Sequence, residues 1–174
     1  MKPRGFTLIE LLVIISIISL LSSIVLGSLQ SARAKAENIA TSELVRSYIF
    51  AIESYKAETG NYPFPGGVGE FCLGDWSDDS CGMDGSAQES IALNNILSAY
   101  FPSPTLPKLN PLSFGNFATI NFEGPVYYCA GTVGVSTQCT QYWIYWIIKG
   151  NFSECHLGGY DFIDGTAYCQ YSPS

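Results

Sequence analysis

The sequence predicts an α+β protein, with a long N-terminal α-helix, membrane-spanning in its first half, packed against a C-terminal antiparallel β-sheet head with disulfide-stapled loops. Three observations predict it. Residues 6–29 form an apolar run with almost nothing polar beyond Thr, Ser and one Glu. Residues 30–59 continue without a helix breaker and carry apolar side chains at three- and four-residue steps. All six cysteines fall in the C-terminal portion, among β-branched and aromatic segments separated by Gly, Pro and Ser.

The chain has 174 residues, room for one compact domain plus an appendage. Its hydrophobic fraction of 47% against 13% charge is largely accounted for by the apolar run. The net charge of −7 is unevenly placed. Lys2 and Arg4 precede the run, and Arg33, Lys35, Arg46 and Lys56 follow it. From residue 60 onward only Lys108 and Lys149 are basic, against ten acidic side chains. So acidic a head repels phosphates, and no direct nucleic-acid binding is expected.

The first 29 residues carry the most information. A helix from Phe6 to Leu29 would reach about 36 Å, enough to cross a hydrocarbon core of roughly 30 Å with some tilt. Lys2 and Arg4 keep the N-terminus cytoplasmic by the positive-inside rule. The competing reading is a secretory signal peptide cut at Ala32-Arg33-Ala34. Against it, apolar regions of such peptides run to about 15 residues at most, and an early Glu10 gains them nothing. A carboxylate in a membrane segment costs on the order of 3 kcal/mol, so Glu10 needs a partner or a function. In the plainer reading it reaches headgroup water at the cytoplasmic face. In the sharper one, cleavage after Gly5 gives Phe6 a free amine one helical turn away. Amine and carboxylate could then pair between neighbouring subunits, an interaction that sets register more than it adds stability.

Gly5-Phe6-Thr7-Leu8-Ile9-Glu10-Leu11-Leu12 resembles the processing site of type IV pilins and type II secretion pseudopilins. In that family a prepilin peptidase cuts after the glycine and methylates the new N-terminus, and the fifth mature residue is a glutamate. The resemblance implies that residues 1–5 are a short leader and that Phe6 is N-methylated. It makes Glu10 the assembly glutamate and implies the pilin fold for the whole chain. It extends to Tyr55 and to Thr59-Gly60-Asn61-Tyr62-Pro63, similar to the helix exit of pseudopilins. One departure is visible: many type IV pilins have a proline midway along this helix, and here none occurs between Phe6 and Pro63. Only Gly27 and Ser22-Ser23 soften it.

The organisation expected is therefore a leader at 1–5, a transmembrane and assembly helix at 6–29, its amphipathic continuation at 30–59 and an extracytoplasmic head at 60–174. Ile39, Ser42, Val45, Tyr48, Ile49, Ile52 and Tyr55 form the stripe expected to pack on the head. Gly60, followed by Pro63 and Pro65, is expected to end the helix in a left-handed cap.

In the head, six cysteines in an exported domain point to disulfides. Fifteen pairings are possible. Nearest-neighbour pairing, Cys72–Cys81, Cys129–Cys139 and Cys155–Cys169, would clip one loop or hairpin each, contributing about 3 kcal/mol apiece in the chain-entropy model. Zinc is the alternative, but no C-x2-C pair occurs. Residues 64–85 read as a stapled loop. Asp75, Asp78, Asp79 and Asp84 there are weak calcium candidates without EF-hand spacing, and Asp161 and Asp164 are a second such pair. Ser86–Tyr100 reads as a short helix with Ile91, Leu93, Ile96, Leu97 and Tyr100 inward. Ala118–Phe122, Val126–Ala130, Tyr142–Lys149 and Tyr168–Tyr171 read as strands. Trp143–Ile148 is apolar on both faces and suits a central strand; an aromatic ligand platform is the other reading. Asn151-Phe152-Ser153 fits the N-glycosylation pattern.

No enzymatic motif appears. The single histidine, His156, adjoins a cysteine expected to be paired, and neither a Gly-x-Ser-x-Gly elbow nor a phosphate-binding glycine loop is present. A non-enzyme without cofactor or resident metal is expected. The expected role is a structural subunit of a type IV pilus-like or type II secretion pseudopilus filament. Its head would be periplasmic or extracellular. Its partners would be identical or related pilin subunits, the prepilin peptidase, the inner-membrane assembly platform and membrane lipid. The alternative is a membrane-tethered adhesion module that never polymerises.

Overall fold

The computed structural model describes residues 6–74, 81, 87–103, 106–107, 124–131, 138–151, 153, 155, 158–161 and 166–173. The chain divides into two compact units, Met1–Glu37 and Asn38–Ser174. Helix α1 spans Leu8–Thr59. Gly60 adopts φ 79° and its N–H donates to the Lys56 carbonyl at 2.8 Å, so the helix stops where only glycine enters the left-handed region without strain.

Beyond α1 the elements are β1 (Gly69–Cys72), β2 (Gln88–Glu89), α2 (Ile91–Ser98), β3 (Val126–Ala130), β4 (Gln141–Lys149), β5 (Gly159–Asp161) and β6 (Thr166–Tyr171). The strands form one six-stranded sheet in the order β2-β1-β3-β4-β6-β5. The expectation of an antiparallel sheet needs one correction. β1 and β2 pair in parallel, Phe71 opposite Gln88 and Cys72 opposite Glu89, while every other pairing is antiparallel. The cause is the stapled segment after β1: Cys81 is disulfide-bonded to Cys72 and forms an antiparallel bridge to Ala87, which returns β2 in the direction of β1.

β4 is the central strand, with β3 on one side and β6 on the other. Tyr142, Ile144, Trp146 and Ile148 on one face are fully buried, in one core cluster with Val45, Tyr48, Ala51 and Ile52 of α1. Trp143, Tyr145 and Ile147 on the other face are half-buried. Tyr145 and Ile147 pack on a smaller cluster of Cys72, Cys81, Ala87, Val126 and Tyr168. The apolar stripe of α1 is narrower than its spacing suggests. Ser42, Val45, Tyr48 and Ile52 are buried and Ile49 and Tyr55 half-buried, but Ile39 is 64% exposed. It lies a third of a turn or more from the stripe's centre, on the opposite side of the helix.

Polar side chains lock helix to sheet. The Asn38 side chain is buried and makes both bonds that a neighbouring strand would make: its Nδ2 donates to the Lys149 carbonyl, and its Oδ1 accepts from the Lys149 N–H at 3.0 Å. The Tyr142 hydroxyl donates to Glu53 Oε1 at 2.7 Å, and Tyr127 and Tyr48 donate to the carbonyls of Pro63 at 2.9 Å and Pro107 at 2.7 Å. Burial satisfied this way lets large aromatic rings fill the core without stranding their hydroxyls.

The helix expected at 86–100 begins only at Ile91. Ser90 is its N-cap, accepting from the Leu93 N–H at 3.0 Å and donating to the Pro65 carbonyl at 2.6 Å, and the residues before it belong to β2. Leu93 and Leu97 are buried as the spacing implies; Ile91, at the helix start, is exposed. The strand expected at Ala118–Phe122 lies outside the described residues.

Ile144→Ala, which empties the centre of this core, should destabilise the head by about 2–5 kcal/mol, measured by urea denaturation of the detergent-solubilised chain. Alkali is a second probe. Burial, first of all, holds the hydroxyls of Tyr48, Tyr127 and Tyr142 far above the ordinary tyrosine range. The unfolded chain therefore releases protons from about pH 10 upward while the folded one keeps them. Stability should be constant with respect to these groups below that pH and fall above it, by up to about 1.4 kcal/mol per pH unit for each such tyrosine. Tyr142→Phe should make the alkaline fall shallower.

Candidate functional site

The N-terminal unit is a helix whose apolar side chains are exposed among the described residues. Every described residue from Phe6 to Arg33 is exposed, including Leu8 and Phe6 at more than 70%. By length and composition this segment can cross a membrane, and the stretch from Leu8 to Leu29 measures about 33 Å at the helical rise. Its serines fit that reading. Ser16, Ser19, Ser23 and Ser28 donate to the carbonyls of Leu12, Ile15, Leu20 and Val25 at 2.7 to 2.9 Å, so these hydroxyls need no water. Among the described residues the first ion pair comes soon after the segment, where Arg33 Nε meets Glu37 Oε1 at 3.0 Å.

Glu10 is the single charged side chain within Phe6–Leu29. The structure gives it a partner that the sequence reading did not name. The backbone N–H and the hydroxyl of Thr7 both donate to Glu10 Oε2 at 2.8 Å, and the Glu10 N–H approaches Thr7 Oγ1 at 3.3 Å. This is a reciprocal capping box: Thr7 is the N-cap, and Glu10 in the first turn reaches back to it. The Thr-x-x-Glu spacing in Thr7-Leu8-Ile9-Glu10 was the available signal. Both donated bonds end on Oε2; among the described residues Oε1 accepts none. The carboxylate also sits at the positive end of the helix dipole. An acid costly in a membrane segment is thereby partly compensated within its own helix, with one oxygen left over.

Phe6, the residue implied to carry the N-methyl group, is exposed, and Gly5 lies outside the described residues. In the second unit, Ile39 and Phe50 are 64% and 71% exposed. Eleven residues apart, they fall about 20° from one another around the helix, and Glu43 and Arg46, paired at 2.8 Å, lie close to the same line. This face is turned away from the buried Val45, Tyr48 and Ile52.

The structure pairs Cys72 with Cys81, Cys129 with Cys139 and Cys155 with Cys169, so none of the six is a free thiol. The calcium candidates Asp75, Asp78, Asp79, Asp84 and Asp164 and the lone His156 lie outside the described residues. Asp161 falls within β5. Asn151 and Ser153 are exposed just after β4.

Residues 1–26 match the family model described as the prokaryotic N-terminal methylation motif. The chain thus carries a prepilin-type N-terminus, consistent with the type IV pilin and pseudopilin family, attached to a disulfide-bonded α+β head. No curated protein and no solved structure matches the chain.

Thr7→Val, which keeps shape but removes the hydroxyl, should weaken the helix start by about 1 kcal/mol. Amide exchange of residues 8–11 in detergent micelles should then accelerate roughly fivefold. Thr7→Ser should exchange like the unaltered chain.

Proposed function

We propose that the chain is a structural, non-enzymatic subunit of a type IV pilus-like or type II secretion pseudopilus filament. It is cut after Gly5 by a prepilin peptidase, methylated on Phe6 and assembled through its N-terminal helix. The observation that carries this reading is the place of Glu10: one carboxylate in the first turn of an otherwise apolar membrane-length segment, inside the methylation motif. A lipid anchor has no use for that acid beyond the helix cap, and none for its second oxygen. A polymer does, because the new Phe6 amine of one subunit can take the unused Oε1 of Glu10 on another, and a mismatched stagger would leave both charges unpaired in an apolar interior.

The exposed Ile39 and Phe50 support the same reading. A tether that ends at the membrane gains nothing from large apolar groups on the water-exposed part of its helix, whereas helices bundled in a filament bury them. The head, held by three disulfides, is then the outer surface, on the periplasmic or extracellular side, with an assembly platform in the inner membrane as a further partner. A non-polymerising adhesion module needs neither the cut after Gly5 nor Glu10.

Glu10→Val should insert in the membrane at normal levels and be processed, yet be lost from sheared or secretion-associated filaments by at least an order of magnitude, a factor of ten for each ~1.4 kcal/mol of register energy. Immunoblotting of membrane and filament fractions reads this. Normal incorporation of the variant would overturn the register argument and leave the tether.

A further inference from the structure

We infer that Asn151 is an acceptor site for an N-linked glycan on the exported head, an inference that rests on the extracytoplasmic placement of the head proposed above. Asn151-Phe152-Ser153 is the one Asn-x-Ser/Thr triplet without an intervening proline in the 174-residue sequence. Its position in the fold is what gives the triplet weight. β4 ends at Lys149, Gly150 turns the chain with φ 124°, and Asn151 and Ser153 emerge exposed on the surface. The Ser153 hydroxyl donates to Asn151 Oδ1. The two polar side chains that the triplet requires thus lie beside each other at the surface. Among the described residues nothing engages Asn151 Nδ2, so the reacting nitrogen is open. Other asparagines are committed to the fold: Asn38 holds both backbone groups of Lys149, and Asn94 Nδ2 donates to Gly74 O at 3.0 Å and Glu89 Oε1 at 2.7 Å.

The co-reactant is a polyprenyl diphosphate-linked oligosaccharide presented on the exported side of the membrane. A bond forms between Asn151 Nδ2 and the anomeric carbon of the sugar, the bond from that carbon to the diphosphate oxygen breaks, and one amide proton is released as the lipid diphosphate departs. The site suits a bulky group mechanically. It lies in the turn after the strand, outside the core clusters, and the Cys155–Cys169 disulfide ties the following residues to β6. A glycan there adds no load to the buried face of β4.

The test is mass spectrometry of the protein recovered from its native membrane, reduced and cut with trypsin. Cleavage after Lys149 releases a peptide beginning at Gly150, which contains Asn151. The expected result is a mass gain by whole sugar residues, localised to Asn151 by electron-transfer fragmentation. It should be lost in Asn151→Gln and in Ser153→Ala and retained in Ser153→Thr. An unmodified peptide, or a sugar localised to Ser153, overturns the assignment. The N-terminal peptide of the same digest keeps the two readings apart. A start at N-methylated Phe6 with an unmodified Asn151 peptide rejects the glycan and leaves the filament reading standing. An unprocessed N-terminus with a glycan on Asn151 does the reverse, retaining the site on a head exported as a simple tether.

Discussion

One helix in this protein is built in two different ways along its length. From Leu8 to Leu29, α1 is apolar around its whole circumference; from Asn38 to Ile52 it buries one face in a core of aromatic residues and shows the other to water. The rest of the structure follows from that division. In the first part four serine hydroxyls find acceptors within the helix and Thr7 satisfies one oxygen of Glu10, as a segment of membrane length requires. In the second part polar groups become useful, and Asn38, Glu53 and Glu58 each hold a piece of the head.

The head in turn is organised around β4. It is the longest strand, pairs on both edges, and contributes four fully buried side chains to the core shared with α1. Two of the three disulfides clip strands adjoining it, Cys129 in β3 and Cys169 in β6, while the third secures the segment that turns β2 parallel to β1. Gly159 shows how closely the last strand pair is packed: a Cβ there would lie 2.8 Å from Cys155 Sγ and collide with the Tyr168 carbonyl. A small domain built this way is held in shape by its disulfides wherever conditions are oxidising.

The long elements were legible in the sequence because their signals are local. The membrane-length run, the 3.6-residue stripe of Ser42, Val45, Tyr48 and Ile52, the stop at Gly60 and the apolar strand around Trp146 each follow from a few neighbouring residues. The short strands were not. β1 (Gly69–Cys72), β2 and β5 are four, two and three residues long, lie beside glycines and acids, and become strands only through partners distant in sequence. Ser90 illustrates the same limit, since the hydroxyl that caps α2 also donates to the carbonyl of Pro65, a residue distant in sequence. At the N-terminus the methylation motif marks Glu10, while the part of Thr7 is written only in the Thr-x-x-Glu capping pattern. Ile39 misled because periodicity marks apolar residues without saying whether head or neighbour covers them.

Ile39 and Phe50 form an apolar face that the head leaves exposed, and in the proposed filament a neighbouring helix would cover it. The most direct measurement places the photoreactive residue p-benzoylphenylalanine at position 50 of the full chain in living cells and irradiates. In a filament, covalent adducts to a second pilin-like chain should form at position 50 and disappear when Glu10 is replaced by Val. Position 50 yielding the same adducts with and without Glu10, or none to any pilin-like chain, would contradict the filament reading.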